Sequence, residues 1–291
     1  MNALRTGVLL AALTALFVAV GGAIGGQQGM IIALLVAAAM NLLAYWNSDQ
    51  LVLRMHGAKL VDPRNGPELY AMVGELAQRA DVPMPKIYFI DTAQPNAFAT
   101  GRNPRHAAVA VTRGILESLS RDELAGVLAH ELAHIKNRDT LTMAIAATIG
   151  SAIGMLANFG LFFGSRNDRG NMLTTLITIF LAPLAAGIVQ MAISRTREFS
   201  ADRDGAAISG RPVALAHALQ KIQALAGQRP MRSVQRNPAS APLFIVNPLT
   251  GHGVVDLFRT HPRTEERVRR LMAIANQQKQ VPLPAGSGPW G

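Results

Sequence analysis

His130-Glu131-Leu132-Ala133-His134 is the stretch from which the rest of the chain can be organised. Wound as a helix, it sets His130 and His134 at i and i+4, so both imidazoles leave one face. Two neutral imidazoles so placed can share one Zn²⁺ at about 2.0–2.1 Å. Glu131 falls beside the first of them, where its carboxylate reaches a water acidified by the ion without ligating the ion. A carboxylate in that position is a general base for attack on a peptide carbonyl. A solvated polar helix is the plainer reading of the same residues. The preceding residues favour the first: Ser120-Arg121-Asp122-Glu123 is a capping box, with Leu119 and Leu124 placed as its hydrophobic staple. A helix starting there holds both histidines rigidly in its third and fourth turns.

Composition bounds what surrounds this helix. Charged residues are only 16% and mean hydropathy is +0.22, so part of the chain is suited to lipid rather than water. The absence of cysteine excludes disulfides and thiolate ligands, leaving His, Asp and Glu for a metal. A net charge of +10 invites a nucleic-acid reading, but no basic patch interleaved with aromatics supports it. Membrane topology explains the basic bias better.

Residues 6–48 carry no Asp, Glu, Lys or Arg, and a glycine-rich break over 21–29 divides them into two apolar segments. Each is near the roughly 20 residues that span a bilayer, and Tyr45 and Trp46 anchor the second exit. Residues 140–165 and 170–194 are likewise uncharged, joined by a turn holding Arg166, Asp168 and Arg169. The plan is therefore a hairpin of two spans over 1–48, a first catalytic part over 49–139, and a second hairpin over 140–194. A second catalytic part over 195–276 and a disordered tail over 277–291 follow. Of 28 Lys and Arg, all but Arg166 and Arg169 fall on one side of four such spans, which places the polar parts in the cytoplasm.

Within the polar parts, residues 68–80 read as a helix opened by Pro67, and residues 86–90 and 107–112 read as strands. Asn96, Ala97, Phe98 and Ala99 form a short segment between those strands. They suit either an ordinary sheet edge with Phe98 in the core, or an exposed edge strand that pairs with a bound peptide. Residues 227–253, rich in Pro, Gly, Asn and Arg, read as a long mobile loop, and residues 263–276 as a basic helix. His56, His106, His217 and His252 have no evident partner.

Two histidines leave zinc short of a third protein ligand. The chain does not continue as HExxHxxGxxH, because Asn137 stands at the glycine and Thr140 at the third histidine. A carboxylate on another helix is then required. Glu198 suits that role, since it lies just past the last span on the same membrane face. Asp202, one turn on, can accept the free ring N–H of a ligating histidine. A solvated charged face, with Arg195, Arg197 and Arg203 as partners, is the alternative for both.

With Ser194-Arg195-Thr196-Arg197-Glu198-Phe199-Ser200-Ala201-Asp202 beside the histidine helix, the chain resembles the HtpX family of bacterial membrane heat-shock proteases, relatives of the eukaryotic CAAX prenyl endopeptidase. Asn96-Ala97-Phe98-Ala99-Thr100-Gly101, residues 243–249 and Thr260-His261-Pro262 extend the resemblance over nearly the whole chain. It implies one zinc held by His130, His134 and Glu198, Glu131 as general base, and a substrate strand at Asn96 to Ala99. His261 would lie near the metal and help stabilise the oxyanion. The fold expected is a mostly α integral membrane protein with four transmembrane helices and a cytoplasmic α+β zincin-like (gluzincin) domain carrying a small sheet.

The activity expected is a zinc endopeptidase of the bacterial inner membrane. Its partners would be the lipid bilayer and unfolded or membrane-protein substrates, with no nucleic acid, in protein quality control under stress. Nothing in the sequence sets an oligomeric state. A CAAX-type processing protease and a zinc-binding membrane scaffold without hydrolysis are the alternatives. Intramembrane cleavage fits poorly, because Arg121, Asp122 and Glu123 precede the histidines and Lys136, Arg138 and Asp139 follow them.

Overall fold

The structure, a computed structural model, describes residues 2–150, 195–228, 230–249 and 262–280. The first uncharged run forms helix α1, Asn2–Met55, broken at Gly25 and Gly26. Gly26 takes φ +57° and ψ −143°, a conformation that side chains disfavour, and the chain reverses there. The two arms lie antiparallel. Asn41 Nδ2 donates to Leu10 O at 3.2 Å and Thr14 Oγ1 at 2.9 Å, and Gly21 lies directly against Gly29. Among the described residues only the second arm, Gly25–Met55, is long and apolar enough to cross a membrane; Thr6–Ala19 is apolar and shorter.

A four-stranded sheet follows, in the order β1-β2-β4-β3, from β1 (Lys59–Val61), β2 (Lys86–Ile90), β3 (Ala97–Gly101) and β4 (Ala107–Thr112). β2 and β4 are parallel, and the outer strands are antiparallel to them. β2 and β4 have the expected bounds, whereas β1 is too short to leave a period-2 pattern. Side chains alternate across the sheet. Ile87, Val109, Val111, Ala97 and Ala99 face one core with α2 (Pro67–Ala80) and α4 (Arg121–Lys136). Ile90, Phe98, Ala108 and Ala110 face a second core, with Val52 and Leu53 from the end of α1.

α3 (Arg113–Ser118) leads directly into α4. The capping box is present: Ser120 Oγ accepts from the Glu123 N–H, and Glu123 Oε2 accepts from the Ser120 N–H. After α4 a new helix, α5, is described over Thr140–Gly150; the rest of the expected second hairpin lies outside the described residues. Thr142 on α5 meets Thr6 on α1 through their hydroxyls at 3.0 Å, buried, so the two apolar tracts lie side by side. α6 (Arg195–Ser209), α7 (Pro212–Ala226) and α9 (Thr264–Gln280) complete the helical layer around α4.

Two expectations need correction. Residues 231–249 are a packed segment rather than a loop: α8 (Arg232–Arg236) and a 3₁₀ helix over Pro238–Leu243 bring Met231, Val234, Leu243 and Phe244 into the second core. Their prolines and asparagines make short helical turns, which lack the long periodicity that marks a buried element. The last helix also runs past residue 276 to Gln280; residues 281–291 lie outside the described residues.

Candidate metal centre

α4 carries His130 and His134 on its buried face, at 0% and 3% exposure, with the rings 4.8 Å apart and nearly perpendicular. α6 crosses against this face because Gly205 has no side chain: a Cβ there would lie 2.8 Å from both Cα and N of His130. Two turns before Gly205, on the same side of α6, Glu198 reaches between the histidines. Its Oε1 lies 3.5 Å from His134 Nε2 and its Oε2 lies 3.8 Å from His130 Nε2. Donors around a tetrahedral zinc at about 2.0–2.1 Å are spaced roughly 3.3–3.4 Å apart. One donor atom from each of the three residues lies within 4.8 Å of the others, so the cluster can close on one ion.

The outer ring nitrogens fit the same purpose. His130 Nδ1–H donates to Asp202 Oδ1 at 3.0 Å, and His134 Nδ1–H donates to Asp139 Oδ2 at 3.2 Å. With Nδ1 protonated on both rings, both Nε2 lone pairs are left facing Glu198, the tautomer a metal requires. Asp202 stands where its spacing put it. Asp139 lies beyond the end of α4, and Arg138, at φ +58°, turns the chain back so that Asp139 meets His134.

Arg267 on α9 was not evident from the sequence. Only 1% exposed, it donates through Nε and Nη2 to the two carboxylate oxygens of Asp202, at 2.8 and 2.7 Å, and through Nη1 to Ile245 O at 2.7 Å. The available signal is positional: Arg267 shares one face of α9 with Leu271 and Ala275, both buried. A charge at a core position of a helix must have a partner.

Charge gives a second test of fit. Among the described residues four buried carboxylates meet here: Glu131, Asp139, Glu198 and Asp202. Against them stand two guanidiniums, Arg267 and Arg197, the latter 3.7 Å from Asp139. With neutral imidazoles two negative charges remain, which one divalent cation balances. Proton affinities reflect this excess. Burial alone would lower the His134 pKa, yet Glu198, Asp139 and Glu131 together raise it to about 9. His130 is lowered to about 4, because burial outweighs Asp202 and the Arg267 charge adds to it. Burial raises the Asp202 pKa, but Arg267 and His130 outweigh it and hold the group at about 2. A cation at this site displaces the extra proton, so binding releases protons.

Glu131 is 1% exposed and lies beside the cluster. Burial, with Glu198 nearby, raises its pKa to about 7, although His134 and the Ala99 backbone amide act in the opposite sense. A carboxyl group poised there can both take and return a proton near neutrality.

Asn96 to Ala99 lie at the sheet's edge but are not exposed: all four are at most 2% accessible. Ile245 N donates to Ala97 O at 3.0 Å, and Asn96 Nδ2 donates to Val246 O at 2.8 Å, so the packed 231–249 segment lies against the strand's start. His261 lies outside the described residues, as does His252. His56 is buried and bonded to Ser233 at 2.9 Å, and the exposed His106 has its Nδ1 3.0 Å from Asn103 Oδ1, both contrary to their expected lack of a partner, while His217 is exposed.

Two imidazoles and a carboxylate around one point, with a buried carboxyl group beside them, define a zinc metallopeptidase centre. A family model described as Peptidase family M48 matches residues 63–275, and the chain belongs to that family. The family-level resemblance carried by the motifs, the zinc cofactor and the metallopeptidase class are thereby borne out. Among solved structures it is similar to the crystal structure of S. mikatae Ste24p, at 21% identity and a TM-score of 0.48. The match covers 91% of this chain and 62% of that one, so the chain spans less than two thirds of that protein's length.

Proposed function

We propose that the protein is a membrane-bound zinc endopeptidase whose active site opens at the cytoplasmic face of the bacterial inner membrane. It would act there on unfolded or unassembled membrane-proximal segments, in protein quality control under stress. One contact carries this reading. Thr140, the first residue of the apolar helix α5, donates its hydroxyl to the carbonyl of Gly101, the last residue of β3, at 2.8 Å. The edge strand beside Glu131 therefore ends where an apolar helix begins. His134 is six residues before that point in the chain. The uncharged runs before Asp49 and after Asp139 support four spans, and the distribution of Lys and Arg supports the orientation.

Zinc, when bound by His130, His134 and Glu198, supplies Lewis acidity to a peptide carbonyl and to the attacking water. Glu131 takes a proton from that water on a carboxylate oxygen and delivers it to the leaving amine. Asp202 and Asp139 hold the two imidazoles in the ligating tautomer. Asn96, Ala97, Phe98 and Ala99 offer the substrate an edge, with Ile245 and Val246 yielding their bonds to it as the substrate pairs. His261 assists the developing oxyanion.

Inverted inner-membrane vesicles test this. A reporter carrying an unfolded segment beside its membrane anchor on the cytoplasmic face should be cut, and a chelator should stop the cleavage. Equal cleavage with the segment on the opposite face, or cleavage unaffected by chelation, would overturn the reading.

A further inference from the structure

A cavity of about 710 Å³ lies where the last turns of α1 cross the sheet, on the face turned away from α4. Its α1 wall includes Leu43, Trp46, Asp49 and Arg54, and its sheet wall includes Lys86 and Tyr88. Arg102, Arg105 and His106 also line it. Four permanent cations thus surround one space against a single carboxylate, Asp49. None of the four forms an ion pair among the described residues. Arg102 is nonetheless held: its guanidinium lies 4.9 Å from the Trp46 ring centroid, and Nη1 donates to Trp46 O at 3.4 Å. Cations gathered without acids repel one another, and an anion seated among them relieves that repulsion.

The α1 side of the rim differs in character. Leu43 and Trp46 are 60% and 51% exposed and continue the apolar surface of Gly25–Met55, while Lys86 opens β2 and Arg105 lies in the turn before β4. We propose that this cavity binds the phosphate headgroup of an anionic glycerophospholipid. Its acyl chains would lie along Leu43 and Trp46, and its phosphate would be held by Arg54, Lys86, Arg102 and Arg105. The proposal rests on the membrane reading above. Apolar contact from α1 and cationic contact beside it match a lipid at the headgroup level. Soluble phosphate shares the cationic contacts and lacks the apolar ones.

Trp46 is itself the reporter. The full chain carrying Trp290→Phe retains Trp46 as its sole tryptophan. It is placed in nanodiscs of phosphatidylcholine containing a fixed fraction of brominated phosphatidylglycerol or of brominated phosphatidylcholine. Quenching by the anionic lipid should exceed that by the zwitterionic one. Lys86→Gln and Arg105→Gln should each weaken the preference about fivefold, at the strength expected of one cation near a lipid surface. Zinc content in both variants should match wild type. Equal quenching by the two lipids, or a preference untouched in the double variant, would overturn the proposal. Loss of the preference on adding millimolar inorganic phosphate at constant ionic strength would reassign the cavity to a soluble anion. Absence of quenching by either lipid would instead contradict the membrane reading on which the proposal stands.

Discussion

Arg267 and Asp202, 65 residues apart, form a two-pronged buried ion pair of 2.8 and 2.7 Å directly behind His130. Asp202 in turn accepts from His130 Nδ1, so the guanidinium fixes the carboxylate that fixes the imidazole. Arg267→Ala leaves that carboxylate buried without its cation and should destabilise the fold by about 3–5 kcal/mol. Arg267→Lys keeps the charge and loses the fork, so the protein should fold and bind zinc about 10–100-fold more weakly. Chelator competition measures the second effect, and denaturant unfolding the first.

Asp139 plays the matching part at His134. Asp139→Asn should lower zinc affinity by about one to two orders of magnitude while leaving the helix content unchanged. Competition with a chromophoric chelator, alongside circular dichroism, checks both statements.

Gly205 sets the distance between the two ligand-bearing helices. A methyl group there meets the backbone of His130, which cannot give way as a flexible side-chain end can. Gly205→Ala should therefore cost about 1–3 kcal/mol and draw Glu198 away from the histidines, lowering zinc occupancy. Unfolding midpoints and metal analysis of the purified variant test this. A fully loaded and equally stable Gly205→Ala would contradict the packing described.

His56 makes stability depend on pH away from the site. Burial between Phe98 and Phe244 lowers its pKa from 6.5 to about 4. Below pH 6.5 the unfolded chain takes up a proton that the folded chain refuses. Stability from this group is thus complete above 6.5, declines as pH falls towards 4, and is level below that. The loss is about 3 kcal/mol. Between pH 6.5 and 4 the unfolding free energy of wild type should fall by about 3 kcal/mol more than that of His56→Gln, since His130 contributes a slope to both.

Local features of the site were legible in the sequence. The capping box, the i, i+4 histidines and the two inner strands each follow from residues within one element. Glu198 and Asp202 follow from helical spacing once a third ligand is required. What escaped depends on contacts between distant elements. Asp139 reaches His134 only because Arg138 adopts a left-handed turn, which its side chain does not announce. Arg267 is one arginine among many on a basic helix until its neighbours Leu271 and Ala275 are seen to be buried. Residues 231–249 have the composition of a loop, yet short turns carry their apolar side chains into a core. The edge strand was legible in position and not in exposure, since its cover comes from Ile245 and Val246.

In the proposed mechanism Glu131 moves the proton at a zinc centre formed by His130, His134 and Glu198. Wild type and Glu131→Gln, purified in detergent and matched for metal content, are given unfolded casein. Each should carry one zinc, wild type should cleave, and the variant should be slower by at least about 100-fold. A Glu131→Gln protein that retains zinc and cleaves as fast as wild type would rule out Glu131 as the general base.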